Sequence, residues 1–98
     1  MNVRERLSRL VNGMMPPERW FGWHFGEAMR QYKVENAHLS IRHLKECLQI
    51  DPLDWFSCYM LSLAYLQLIG DFDEALRLLR YARRLREQLH TPVEGRPR

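Results

Sequence analysis

WFSCYMLSLAYLQLIGDFDEALRLLRYARRL, residues 55–85, decides how this chain folds. Its first half is apolar on nearly every side, with Trp55, Phe56, Tyr59, Met60, Leu61, Leu63, Ala64, Tyr65, Leu66 and Leu68. A helix of that kind is sandwiched between others. Gly70 closes it, because glycine accepts the left-handed conformation at a helix end. Asp71-Phe72-Asp73-Glu74 then reads as a capping box, with Asp71 as cap and Glu74 reaching back to its amide. The second half is amphipathic, with Ala75, Leu78, Leu79, Ala82 and Leu85 inward and arginines outside. The stretch is two helices joined by a tight turn.

The same pattern lies upstream. Phe25, Ala28 and Tyr32 correspond to Cys58, Leu61 and Tyr65, thirty-three residues later. Ser40, Leu44 and Cys47 correspond to Ala75, Leu79 and Ala82, thirty-five residues later. A helical repeat of that period means stacked hairpins, each burying its apolar face on a neighbour. The upstream hairpin reads as a helix over Glu18–Lys33, a turn at Val34-Glu35-Asn36 and a helix ending at Ile50 before Asp51-Pro52. Pro17 suits a helix start. The next helix is expected over Leu53–Ile69, and the last runs from the Asp71 cap to about Leu89. Residues 2–12 read as an additional amphipathic helix with Val3, Leu7, Leu10 and Val11 on one stripe, and Asn12-Gly13 stops it.

With these residues in view, residues 55–85 resemble a tetratricopeptide repeat: a Leu…Ala-Tyr first helix, a Gly-Asp-Phe turn, then Glu-Ala-Leu opening the second helix. FGEAMRQYKVENAHLSIRHLKECLQIDP, residues 25–52, is similar to a weaker copy that closes on Leu-x-Ile-Asp-Pro. The resemblance implies an all-α fold of antiparallel hairpins in a short right-handed superhelix of about five helices. Residues 1–90 would form one domain: an N-terminal helix over 1–13, a degenerate repeat over 18–52 and a second repeat over 53–89. Residues 91–98 would be a flexible tail. The copies depart from the family. The first is one residue short between Tyr32 and Ser40, and the second one long between Tyr65 and Ala75. Met29 and Ser62 replace the usual glycines. Two repeats are also fewer than the three or so that make a stable stack. Apolar faces are therefore left over: either the N-terminal helix, residues 2–12, fills the groove from within the same chain, or a homo-oligomer or a partner chain covers them.

The function implied is non-catalytic protein–protein interaction, as an adaptor, scaffold or accessory subunit. Family members bind peptides or helices on the surface lined by each first helix. Carried over by position, that groove would hold Trp23, Arg30, Lys33, Phe56, Tyr59, Leu63 and Leu66. Leu63 and Leu66 stand where a carboxylate clamp would need polar groups, so an apolar partner helix or peptide is expected.

Charge adds an alternative. Residues 1–76 carry eight basic and ten acidic groups, whereas residues 77–98 carry seven arginines against Glu87 and Glu94. Arg77, Arg80, Arg83 and Arg84 form a basic patch on the last helix, suited to phosphate, nucleic acid or acidic protein. The rival to that reading is the solvated outer face of a terminal helix.

Enzymatic chemistry has no foothold: there is no glycine-rich phosphate loop and no nucleophile with motif context. His24, His38, His43 and His90 show no metal-ligand spacing. Cys47 and Cys58 lack a CxxC spacing and fall on apolar faces as core thiols. No cofactor and no metal are expected. No run of apolar residues reaches the roughly 18 of a membrane span, and no signal peptide is recognisable, so the expected location is cytoplasmic.

Overall fold

The structure, a computed structural model, describes residues 3–4 and 16–90. Among them are four α-helices: α1 (Pro17–Lys33), α2 (Ala37–Ile50), α3 (Trp55–Ala64) and α4 (Phe72–His90), with a single π-helical turn, Tyr65–Ile69, between α3 and α4. Among the described residues there is no strand. Apart from Val3 and Arg4, which are helical, the expected N-terminal helix lies outside the described residues, as does the tail over 91–98.

Local chemistry sets each boundary. Pro17 opens α1 where no amide donor is needed. Asn36 caps α2 by accepting from the Leu39 amide at 3.2 Å, and Asp54 caps α3 by accepting from the Ser57 amide at 3.0 Å. This puts the start of α3 at Trp55, two residues later than expected. Asp71 accepts from the Glu74 amide at 3.1 Å. The reciprocal half of the expected capping box does not form. Glu74 instead ion-pairs with Arg77, and the Asp71 amide is taken by Tyr65 O at 3.0 Å.

The two hairpin turns are built alike. Glu35 at φ 59° precedes the Asn36 cap, and Gly70 at φ 82° precedes the Asp71 cap, again thirty-five residues on. Glycine holds that left-handed conformation without strain, whereas glutamate does not. The span from Tyr65 to Ala75 is two residues longer than that from Tyr32 to Ser40, and the π turn takes up one of them. An i→i+5 bond accommodates one extra residue per turn, and Gly70 N donates to Tyr65 O at 2.8 Å. The extra residue between Tyr65 and Ala75 is thus taken up inside the helix, which is why α3 ends at Ala64 instead of running regularly to Ile69.

α1 packs on α2, α3 on α4, and α2 on α3, so the two hairpins lie side by side. One core runs through all four helices: Ala28 from α1, Ile41 and Leu44 from α2, Cys58, Leu61 and Ala64 from α3, Leu78 and Ala82 from α4. Small buried residues let the helices approach closely and tie them together. Ser40 Oγ donates to Ala28 O at 3.0 Å, Cys47 Sγ to Phe21 O at 3.7 Å, and Cys58 Sγ to Leu78 O at 3.4 Å. Both cysteines are free and buried. Burial pushes the Cys47 thiol up to about 12 and raises Cys58 as well. No helix among the described residues is long and apolar enough to cross a membrane.

One expected core residue is not in the core. Leu79 is 43% exposed, although Leu44, its repeat-mate, is 0% exposed. Leu76 and Ile41 repeat the contrast at 46% and 8%. The side chains are equivalent, but their surroundings are not: α2 lies between α1 and α3, while α4 is the last helix of the stack among the described residues.

Candidate functional site

The unmatched positions on α4 open into a groove. Trp55, Phe56 and Tyr59 of α3 and Leu79 and Ala82 of α4 form its apolar walls, and Arg83, Arg86 and Glu87 edge it on the α4 side. Its volume is ≈ 870 Å³. Position along each helix explains this lining. Trp55, Phe56 and Tyr59 lie in the first two turns of α3, and Leu79, Ala82, Arg83 and Arg86, at i, i+3, i+4 and i+7, share one side of α4. The rings hold one another in place: Phe56 contacts Trp55 at 5.6 Å, Tyr59 at 6.3 Å and Phe25 of α1 at 5.7 Å, centroid to centroid. The Arg86 guanidinium lies over the Trp55 ring at 5.4 Å.

Beside the groove, Arg77, Arg80, Arg83 and Arg84 surround a second concavity with Asp73, Leu76 and Glu87. The four arginines of the expected basic patch are therefore brought together. Arg77 is bound to Glu74, and Arg83 Nε donates to Glu87 at 3.1 Å. Arg84 leans over Tyr81 at 5.9 Å. Arg80, Arg84 and Arg86 make no ion pair among the described residues.

The groove carried over from the repeat positions is divided. Phe56 and Tyr59 line the α3–α4 groove. Leu63 is half-buried and Leu66 exposed further along the same hairpin. Arg30, exposed, is ion-paired with Glu27, and Lys33 is exposed in the last turn of α1. Trp23 does not join Phe56. It stacks on Trp20 at 5.2 Å and meets His24 and His43 edge-on at 5.0 and 5.5 Å.

That last cluster is the group that sequence reading missed. His24 of α1 and His43 of α2 meet through their Nδ1 atoms at 2.9 Å, one ring donating and the other accepting. His24 is 7% exposed, and Trp20 meets it edge-on at 4.8 Å. Burial first, then the facing His43, holds His24 below its ordinary value, with Glu46 acting the other way. Burial likewise lowers His43, opposed by Glu27 and Glu46 and reinforced by Arg42. The pair is invisible to spacing along one helix because its members sit on neighbouring helices. The only signal was that both histidines share the hairpin-facing stripe, with Ala28 on α1 and with Leu44 and Cys47 on α2. No group of three or more His, Cys, Asp or Glu among the described residues is placed to hold a metal ion.

No protein-family model, curated protein or solved structure matches the chain.

Proposed function

We propose that this chain is a non-catalytic protein–protein interaction module: two tetratricopeptide-like hairpins, the start of a right-handed stack, that bind a partner helix or peptide in the α3–α4 groove. One observation carries the reading. Ile41 and Leu44 are buried within the stack, while their repeat-mates Leu76 and Leu79 stand half-exposed at its end. The side chains of a repeat interface are present, and among the described residues no helix covers them. Aromatic groups in the groove beside Leu79 (Trp55, Phe56 and Tyr59) are of the kind that anchor protein interfaces.

A photo-crosslinking side chain placed at Leu79 tests this in the native cell, with the same group at exposed Gln49 on α2 as control. A discrete protein adduct from position 79 and none from position 49 is the expected result. Adducts with a second copy of the chain would assign the groove to self-association. No adduct from position 79 would sink the interaction reading. The arginine concavity supports a second reading, binding of nucleic acid or phosphate along α4. That reading requires nucleic-acid adducts from position 79 and affinity that falls steeply with salt.

A further inference from the structure

The repeat-mates also differ in charge, and the difference restricts what the groove can hold. Along α2 the buried positions Ile41 and Leu44 are followed by Leu48, half-buried against the core. Along α4 the corresponding run is Leu76, Leu79 and Arg83. The two apolar anchors are kept, and the third is exchanged for a guanidinium. Around the groove and the adjoining concavity lie Arg77, Arg80, Arg83, Arg84 and Arg86 against Asp73 and Glu87, a net of +3. Residues 16–90 as a whole carry ten basic and ten acidic groups. A neutral body thus gathers five of its ten basic groups around an apolar face that no other described helix covers. The opposite flank of the groove is uncharged, because α3, WFSCYMLSLA, contains no ionisable acid or base except Tyr59 and Cys58.

Resting on the interaction reading above, we propose that the occupant is an amphipathic helix of another protein whose apolar stripe is bordered by aspartate or glutamate on one side only, the side facing α4. A bed formed by two adjacent helices takes a third helix by ridge-and-groove packing, so a helical occupant fits better than an extended one. Carboxylates on its α4 side meet Arg83 and Arg86 at the groove edge, and Arg80 and Arg84 beyond. Guanidinium–carboxylate pairing there supplies orientation and a faster encounter, while Phe56, Tyr59 and Leu79 supply most of the buried area. The chain's own terminal segments have the wrong charge for it. Residues 1–15 carry Arg4, Arg6 and Arg9 against Glu5, and residues 91–98 carry Arg96 and Arg98 against Glu94 with no apolar stripe. A second copy would bring its own arginine face to this one.

The test is a selection from a displayed library of helix-biased 18-residue peptides on the immobilised full chain. Two variants run in parallel after circular dichroism confirms their helicity: Arg83→Glu/Arg86→Glu and Leu79→Glu. The expected winners carry an i, i+3/i+4, i+7 apolar stripe with Asp or Glu along one flank. They bind the doubly reversed variant at least about tenfold more weakly, and selection on that variant favours Lys or Arg instead. Winners with no acidic bias, or with acids on both flanks alike, overturn the charge proposal and leave the groove reading standing. No peptide enriched on the full chain over Leu79→Glu overturns the groove reading itself. A labelled 18-nucleotide single strand is the third arm. If it binds more tightly than any selected peptide and charge reversal abolishes that binding, the face is a nucleic-acid site and the proposal is wrong.

Discussion

Acidification should unlock the first hairpin before it affects the rest of the protein. His24 and His43 share one proton across 2.9 Å, and their environment holds both below the ordinary 6.5. In the unfolded chain each titrates near 6.5, so the unfolded state takes up protons first as the pH falls. The stability that the neutral pair contributes is fully present above 6.5. It is lost progressively below 6.5, down to the depressed folded-state values. Each proton bound only by the unfolded state costs about 1.4 kcal/mol per pH unit, so two set a ceiling of about 2.7 kcal/mol per unit in that window. His43 is half-exposed and flanked by Glu27 and Glu46, which favour its charged form, so the slope should fall below that ceiling. Even half of it is a large share of the total stability of a domain this size. Urea unfolding at pH 7.5, 6.5, 6.0 and 5.5 measures it, followed by the fluorescence of Trp20 and Trp23, which sit edge-on to the pair. The double variant His24→Asn/His43→Asn keeps a polar group at each Nδ1 position and should flatten the pH dependence. A separate loss belongs below pH 4.5, where Glu27 and Glu74, held low by hydrogen bonds from Arg30 and Arg77, become protonated. Stability that stays level from pH 7.5 to 5.5, or a slope the double variant retains, would refute the account.

Three further outcomes follow from the turns and the core. Glu35→Gly should raise stability by about 0.5–1 kcal/mol by relieving a left-handed glutamate, while Gly70→Ala should cost about 1–2 kcal/mol, and chemical denaturation reads both. A Cβ at Gly70 meets nothing within 4 Å, so the cost there is that of its backbone conformation. Deleting Leu66 should convert the π turn to regular α-helix with a change in thermal midpoint of only a few degrees, whereas deleting Met60 within α3 should abolish cooperative melting. Cys47, buried with its thiol pushed up to about 12, should react with Ellman's reagent at pH 8 at least about a thousandfold more slowly in the folded chain than in urea.

The sequence disclosed those parts of the fold that local chemistry determines, and concealed those that depend on which helix lies opposite. The cap at Asp71, the turn at Val34-Glu35-Asn36, the proline start of α1 and the end of α2 at Ile50 are decided within a few residues, and a reading of the chain reaches them. The additional residue between Tyr65 and Ala75 was also visible as a length, but its resolution as a π turn is a matter of hydrogen-bond geometry. Leu79 shows the limit most clearly. By periodicity it is as much a core residue as Leu44, and nothing in its neighbours says otherwise; only the absence of a helix beyond α4 among the described residues exposes it. His24 and His43 fail to register for the reverse reason, since packing joins what the chain keeps nineteen residues apart. The most informative positions are therefore those where repeat-mates part company. A buried leucine and its half-exposed counterpart have the same intrinsic cost in water, about 25 cal/mol for each Å² left uncovered. A chain that keeps Leu76 and Leu79 half-exposed on its last described helix, and sets arginines beside them, bears that cost on this face. A second helix laid there would remove it, and the side chains needed to receive that helix are already in place.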